Sequence, residues 1–418
     1  MNTTNHSRHP RYPRLVTKIL AMVFIGVMFA MPMQALGQEK KIVIGGSIPL
    51  TGAAAETGLN VYNGYKAAVK FVNEELGGVE VGGQNYKLEL DLFDDASDPS
   101  RATTLIQRQL DEGVNFFLGS FGSNIVLPTC SITERAQRPM VQAGGGSDLI
   151  FTQGRKFVFG IFQRASRQQY SFRDYYLSLK PRPETFSIIL ENDPYSKWSA
   201  NGAKDTLTEA GFKLLDVYEL PAQVSDVSSV LASVRQKQPD MLLCVTHDQV
   251  SMLIAKQMIT TNTYAKVLYQ GLGPQTVAYR ESLGKYANEV LVALYFSEKA
   301  PYKGEIIGSA KDFADYYRSN FKRPLVYHMA SAAACIVAYV HAFKNADSLE
   351  PVKVRDALDK LDVMTFYGRV KFTEDGDMAT DAAGTMVGQV QDGEVELVYP
   401  PVAATADPIY PFTPWNER

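Results

Sequence analysis

The sequence predicts an α/β fold of two lobes with parallel-sheet cores, and three observations predict it. From Lys41 onward, strand-like apolar runs alternate with amphipathic segments of helical spacing. The runs break into Gly, Ser and Asp at their ends, as strands of a sheet covered on both faces do before entering a helix. The alternation is then written a second time, in a chain of 418 residues that exceeds what one core supports.

The first series reads KIVIGGSIPL, a helix from Asn60 to Leu76, YKLELDLFDD, a helix from Ser100 to Glu112, FFLGS, and a short strand from Met140 to Ala143. The second reads TFSIILEND over 185–193, a helix to about Ala210, LLDVYEL, the segment Ser225 to Lys237, DMLLCVTHD, a helix to Thr260, and KVLYQGLG. After Val290 to Phe296 come helices over Ser309 to Phe321 and Met329 to Ala346. The second of these is apolar nearly all round, which predicts burial. Pro351 to Leu361 follows, then strand-like GRVKF over 368–372, and VGQVQ with VELVYP around the turn Asp392-Gly393. The Pro-rich tail from Pro400 to Arg418 is expected to be loosely packed.

Residues 1–37 read as a secretory signal. Arg8, Arg11, Arg14 and Lys18 precede an apolar run from Ile19 to Met31, and Ala35-Leu36-Gly37 places small residues at a cleavage position near Gly37. The run is too short for a stable anchor, and no later segment approaches the roughly 18 to 20 apolar residues of a membrane span. No Cys follows the cleavage position, so no lipid attachment is expected there. Removing the segment takes away four positive charges and no negative ones, and the formal net charge moves from −3 to −7. That mildly acidic, mixed-sign surface gives no footing for nucleic acid. Cys130, Cys244 and Cys335 are too few for a disulfide framework and are expected as small buried residues.

The motifs of common chemistries are missing. IGGSIPLTG and AGGGS lack dinucleotide-binding spacing, and no phosphate-binding G-x-x-x-x-G-K-[ST] occurs. Outside the leader, His247, His328 and His341 are scattered, with no pairing at metal spacing. His328 and His341 are expected as packed helix residues, whereas His247 at a strand end is open to either role. No nucleophile elbow is present, and Asp94, Asp95 and Asp98 read as acids that cap and turn the backbone rather than as a metal site. No catalytic set, cofactor or metal is therefore expected, and the chain reads as non-enzymatic. Three loops at strand ends remain, Pro49 to Gly58, Gly119 to Asn124 and Gly144 to Asp148. They are rich in small hydroxyls and glycine, and each enters a helix where free N–H groups favour an anion.

The run IGGSIPLTGAAAETGLNVYNGYKAAVKF continuing through DLFDDASDPS, with LGSFGSN, RPMVQAGGGSD, ENDPYSKWSANGAKD and TFYGRVKF, resembles the periplasmic binding proteins of branched-chain amino acid type ABC importers. The likeness covers essentially the whole mature chain, and PLTG, DDxSDP and the Gly-rich turn stand in family order. It implies a type I periplasmic binding fold, two Rossmann-like lobes joined by a three-strand hinge that closes on its ligand. Lobe one would be 40–162 plus 293–368 and lobe two 163–292 plus 369–418, with crossings near Phe162, Ala293 and Gly368. A monomeric periplasmic receptor that hands a small solute to ABC permease subunits is implied. A ligand-sensing module for a signalling receptor is the alternative.

By the same resemblance, Ser123 and the turn Gly144, Gly145 and Gly146 would hold a ligand carboxylate, with Ser120, Phe121 and Ser147 adjacent. Tyr195 would supply an aromatic contact from lobe two. Two positions depart from the family pattern: Thr57 is small where an aromatic is usual, and Leu272 stands where relatives carry the acid that anchors an ammonium. Either Asp248 or Glu56 substitutes for that acid, or the ligand has no amine and is an amide or an aromatic or aliphatic acid. Tyr195, Phe121, Trp198 and Tyr269 are then available for ring contacts.

Overall fold

Each of the two series folds into its own sheet in a computed structural model that describes Met1 and residues 39–418 apart from 222, 380, 381 and 383. The expected signal segment 1–37 and its cleavage position lie outside the described residues, Met1 excepted. In the first sheet, β1 (Lys41–Ile48), β3 (Gln84–Asp94), β4 (Phe116–Leu118), β5 (Met140–Gln142) and β6 (Val158–Gly160) are parallel in the order β3-β1-β4-β5-β6. The short β2 (Val79–Val81) pairs antiparallel with β3 at the edge. In the second sheet, β7 (Thr185–Glu191), β8 (Lys213–Leu220), β9 (Met241–Val245), β10 (Val267–Gln270) and β11 (Leu291–Leu294) are parallel in the order β8-β7-β9-β10-β11.

A hairpin of β12 (Asp362–Thr365) and β13 (Gly368–Lys371) stands apart from both sheets. Then β14 (Met386–Gln391) and β15 (Glu394–Tyr399) add antiparallel strands beside β11. Their turn puts Asp392 and Gly393 at φ 50° and 80°, the left-handed pair that a tight hairpin needs.

The burial of the strands explains their composition. Every residue of β9 is buried, which suits its unbroken Met-Leu-Leu-Cys-Val run, whereas the edge strand β8 carries polar residues along its length. All three cysteines are buried and free.

Helices α1 (Ala55–Glu74), α2 (Pro99–Asp111) and α3 (Ser123–Arg135) follow β1, β3 and β4. The second series contributes α4 (Tyr170–Ser178), α5 (Pro194–Glu209), α6 (Ser228–Lys237), α7 (Asp248–Thr260) and α8 (Val277–Leu283). Helices α9 (Ala310–Phe321), α10 (Tyr327–Ala346) and α11 (Pro351–Asp359) come late in the chain, and α10 returns to the first sheet. Every residue of α10 from Tyr327 to Phe343 is buried, as its all-round apolar surface predicts. Gly64 lets α10 approach α1: a Cβ there would lie 2.3 Å from the Met329 carbonyl oxygen. The hydroxyl of Tyr339 lies 2.8 Å from the carbonyls of both Phe117 and Pro139, which ties α10 to the sheet.

The acids of DDASDP do structural work. Asp98 caps α2 by accepting from the Arg101 amide, with Pro99 at the first helical position. Asp94 accepts from Leu50, Thr51 and Ala96. Asp95, wholly buried, accepts from the hydroxyls of Ser47 and Ser120.

The tail departs from expectation. Phe412 and Trp415 are buried in the core of the second sheet, the Trp415 indole N–H donates to the Thr263 carbonyl at 2.6 Å, and Phe412 N–H donates to Lys266. Two large aromatic faces outweigh the disorder expected of a Pro-rich terminus. Where the chain leaves the first sheet, Arg164 pairs with buried Asp377 at 2.9 Å and Arg167 reaches the same oxygen at 3.0 Å, so the segment after β6 is bound to the turn at 373–377.

Candidate functional site

In each sheet one strand marks the point where the order reverses: β1 lies between β3 and β4, and β7 between β8 and β9. Connections leave opposite faces of the sheet there and open a crevice beyond the strand ends, where ligands of open α/β sheets sit. The loops after β1, β4, β7 and β9 are therefore the ones to inspect. They carry Glu56, Ser120 to Ser123, Asp193 to Tyr195, and His247 with Asp248.

On the first-sheet side the loop amides are already paired, whereas the hydroxyl of Ser147 is buried without a partner. Ser120 is buried with its hydroxyl donated to Asp95 at 2.6 Å, so it braces two loops against each other. The amides of Gly144 and Gly145 donate to the Gln142 side-chain oxygen at 2.9 and 2.7 Å. Those of Gly146 and Ser147 donate to the Ser123 hydroxyl oxygen at 3.1 and 3.0 Å. Both lone pairs of that oxygen are thus occupied, which leaves its O–H to be aimed elsewhere. Ser123 also begins α3, whose first turn has no side-chain cap. What this side offers an anion is therefore one hydroxyl proton and a helix N-terminus.

The second-sheet side is charged. Asp193 caps α5, its Oδ1 accepting from the amides of Tyr195 and Ser196, and its Oδ2 lies 3.4 Å from His247 Nε2. Glu191 accepts from the His247 amide at 2.5 Å. Burial works against a charged His247 imidazole, but the hydrogen bond to Asp193 and the charges of Asp193, Glu191 and Asp248 outweigh it and lift its pKa to about 9. Glu191, Asp193 and His247 bring ligand-type atoms within 4.8 Å of one another and are the described residues that could take a metal. Their commitments to a helix cap, a backbone amide and each other already account for the grouping.

Asp248 opens α7, and its Oδ1 is buried without a hydrogen-bond partner. Burial first, then the charges of Glu56 and Glu191, opposed by His247, push its pKa up to about 6. Glu56 lies in the exposed first turn of α1, and its charge reaches Asp248 of the second series.

Aromatic rings join the two sides. Phe121 meets His328 edge to face at 5.3 Å, His328 lies 3.8 Å from Tyr327, and Tyr327 lies 4.9 Å from Tyr295. The Tyr295 and Tyr195 hydroxyls are 3.3 Å apart, and Tyr195 also donates to Gln168 at 2.9 Å. A Cβ on Gly146 would come within 2.9 Å of the Tyr195 ring, so glycine there allows the two sides to meet. Since Gly146 donates to Ser123, two residues from Phe121, the contacts return to their start. Tyr195 in turn lies 5.6 Å from the His247 ring. A separate cavity of 360 Å³ lined by Gln275, Arg280, Phe296, Glu298 and Arg318 shares only Tyr327 with this circuit.

Of the residues expected at the site, Phe121, Ser123, Gly146 and Tyr195 are members of the circuit, and Asp248 is within electrostatic reach of Tyr195. Leu272 is 6 % exposed and packs in the main apolar core. Tyr269 is buried against Phe172 at 4.7 Å, and Trp198 is half-buried on α5. Tyr295, Tyr327 and the Glu191–Asp193–His247 group were not singled out as a site from sequence. The one signal that could have found them is the pairing of His247 at one strand end with END at the other.

A model described as periplasmic binding protein matches residues 41–394. The chain belongs to the periplasmic binding protein family. Members of this family are solute-binding proteins. Relatives include a Leu/Ile/Val-binding protein homolog of Brucella abortus, 23 % identical over 382 residues that cover 87 % of this chain and 92 % of the relative. Among solved structures, a leucine-binding protein LivK from Thermotoga maritima superposes with a TM-score of 0.72 at 22 % identity, covering 85 % of this chain and 97 % of that one. The benzoate complex of a solute-binding protein from R. palustris gives 0.71 at 14 % identity, covering 86 % and 95 %. These likenesses establish the type I periplasmic binding fold. Among the described residues no helix is long and apolar enough to cross a membrane.

Proposed function

We propose that this chain is the exported receptor of an ABC importer and that it captures an amino acid between lobes 40–162 plus 293–368 and 163–292 plus 369–418. The observation that carries the reading is Asp248, a carboxylate with a buried, unpartnered oxygen set beside aromatic rings and within reach of the Glu56 charge. A ligand ammonium there would give the unpaired oxygen of Asp248 a donor, and would add to the charge of His247 in favouring its ionised form. The ligand carboxylate would take the Ser123 O–H and the uncapped first turn of α3. Asp248 and Glu56 thus replace the acid that relatives place at the position of Leu272. Delivery to permease subunits by a monomeric receptor completes the reading, which rests there on the family.

Calorimetry on the purified mature chain tests it. Aliphatic and polar amino acids are titrated alongside the same molecules lacking the amino group. Removal of the amine is expected to weaken binding about a hundredfold or more, the scale of a lost buried charge pair. Equal or tighter binding of the deaminated acids, or of benzoate, would overturn the amino-acid reading.

A further inference from the structure

We propose that His328 is a specificity-determining residue that hydrogen-bonds a polar group on the ligand's side chain. The inference rests on the proposed reading of the aromatic circuit as the ligand site. His328 is 3 % exposed, and its Nε2 is buried without a partner. Its ring is held between Tyr327 at 3.8 Å and Phe121 at 5.3 Å, so the position is fixed by rings on both sides. The residue lies in the first turn of α10, where the helix N-terminus disfavours a cation. Burial, followed by the charge of His247, brings the imidazole pKa down to about 3. The ring is therefore neutral and offers one N–H and one lone pair.

A leucine or phenylalanine at 328 would fill the space among these aromatics without desolvating a polar atom. An imidazole there gives up its hydration at Nε2 and recovers nothing from the protein. A ligand side chain with an amide or hydroxyl would complete it. An aliphatic side chain would seal the unpaired nitrogen away from water and should bind about tenfold to a hundredfold more weakly. The chain would then discriminate against leucine, isoleucine and valine by the polarity of one wall.

Four probes of matched shape test this: leucine and its isostere asparagine, and their deaminated counterparts 4-methylpentanoate and succinamate. Affinities are measured by calorimetry for the wild-type chain, His328→Leu and His328→Gln. Wild type is expected to bind asparagine at least tenfold more tightly than leucine. His328→Leu should bring that ratio to one or below, and His328→Gln, which keeps a hydrogen-bonding group, should preserve part of it. Equal affinity for leucine and asparagine in the wild type, or a ratio that survives His328→Leu, overturns the role of His328 and leaves the amine reading standing. A preference for the deaminated pair overturns the amine reading, while the succinamate to 4-methylpentanoate ratio still reports on His328. Binding of none of the four overturns both. If His328→Leu fails to fold, the wild-type ratio decides alone.

Discussion

The two walls of the crevice solve opposite problems. On the first-sheet side the Gly144 to Ser147 amides and the Ser120 hydroxyl all donate within the protein, so that wall is formed before any ligand arrives. The second-sheet side gathers Glu191, Asp193, His247 and Asp248, pairs Asp193 with His247, and leaves one oxygen of Asp248 buried without a hydrogen bond. The paired loop amides supply geometry, and the buried unpaired atoms, Asp248 Oδ1 from one side and His328 Nε2 from the other, supply the demand that a ligand meets. Rigidity and affinity are thereby assigned to different residues, which makes them separable by mutation.

The comparison breaks most sharply at Asp248. Asp248→Asn is expected to weaken binding of an amine-bearing ligand by about 2–5 kcal/mol. The unliganded protein should unfold no more easily, because burial makes the ionised form of Asp248 unfavourable in the folded state. Isothermal titration and thermal unfolding of the same preparation check both halves. A fall in stability matching the fall in affinity would place Asp248 among the structural acids.

Gly144→Ala attacks the opposite wall. Its Cβ would lie 1.8 Å from the Ser120 carbonyl oxygen, backbone that cannot step aside. Overpacking of this kind costs roughly 1–3 kcal/mol or more, and thermal unfolding should register it without ligand.

Ser123→Ala tests whether the walls are as distinct as they look. Sequence reasoning alone expects a binding defect with folding nearly intact. With two amides resting on that oxygen, both folding and binding are expected to fall by about 1–3 kcal/mol. Loss of affinity alone, with unchanged denaturant midpoint, would contradict the brace.

The smallest effect is in pH. The Asp248 pKa of about 6 lies above the ordinary value of 3.8, so in the free protein this group's contribution to stability is present below about pH 4 and is lost as the pH rises through 6. An ammonium needs the ionised form, so the sign reverses for binding. Affinity should weaken about tenfold between pH 7 and 5 and release no proton from Asp248 well above 6. His247, lifted to about 9, stays charged across that range. A flat affinity profile from pH 7 to 5 would remove Asp248 from the ligand.

The fold was legible because parallel strands buried on both faces, such as β9, announce themselves as apolar runs, and their turns into helices as Gly, Ser and Asp. Ser123 and Gly146 were legible for the same reason, as small residues where a strand meets a helix. His328 and Tyr327 were hidden by the helix that carries them. In a helix buried from Tyr327 to Phe343, periodicity gives no clue to which residue meets the crevice. The Asp193–His247 pair was hidden too, since a capping acid and a strand-end histidine become partners only when β7 and β9 lie side by side. The tail misled because composition reports chain entropy and not the slot that receives Trp415.

That slot bears on when the molecule can fold. The core over the first sheet is incomplete until residues 327–346 join the early helices, and that of the second lacks Phe412 and Trp415 until residues 412–415 arrive. A growing chain therefore keeps part of each apolar core open through most of its length, even after the early helices have packed on their strands. Both halves are complete only once residues from late in the sequence, 327–346 for one and 412–415 for the other, have packed back onto strands laid down long before.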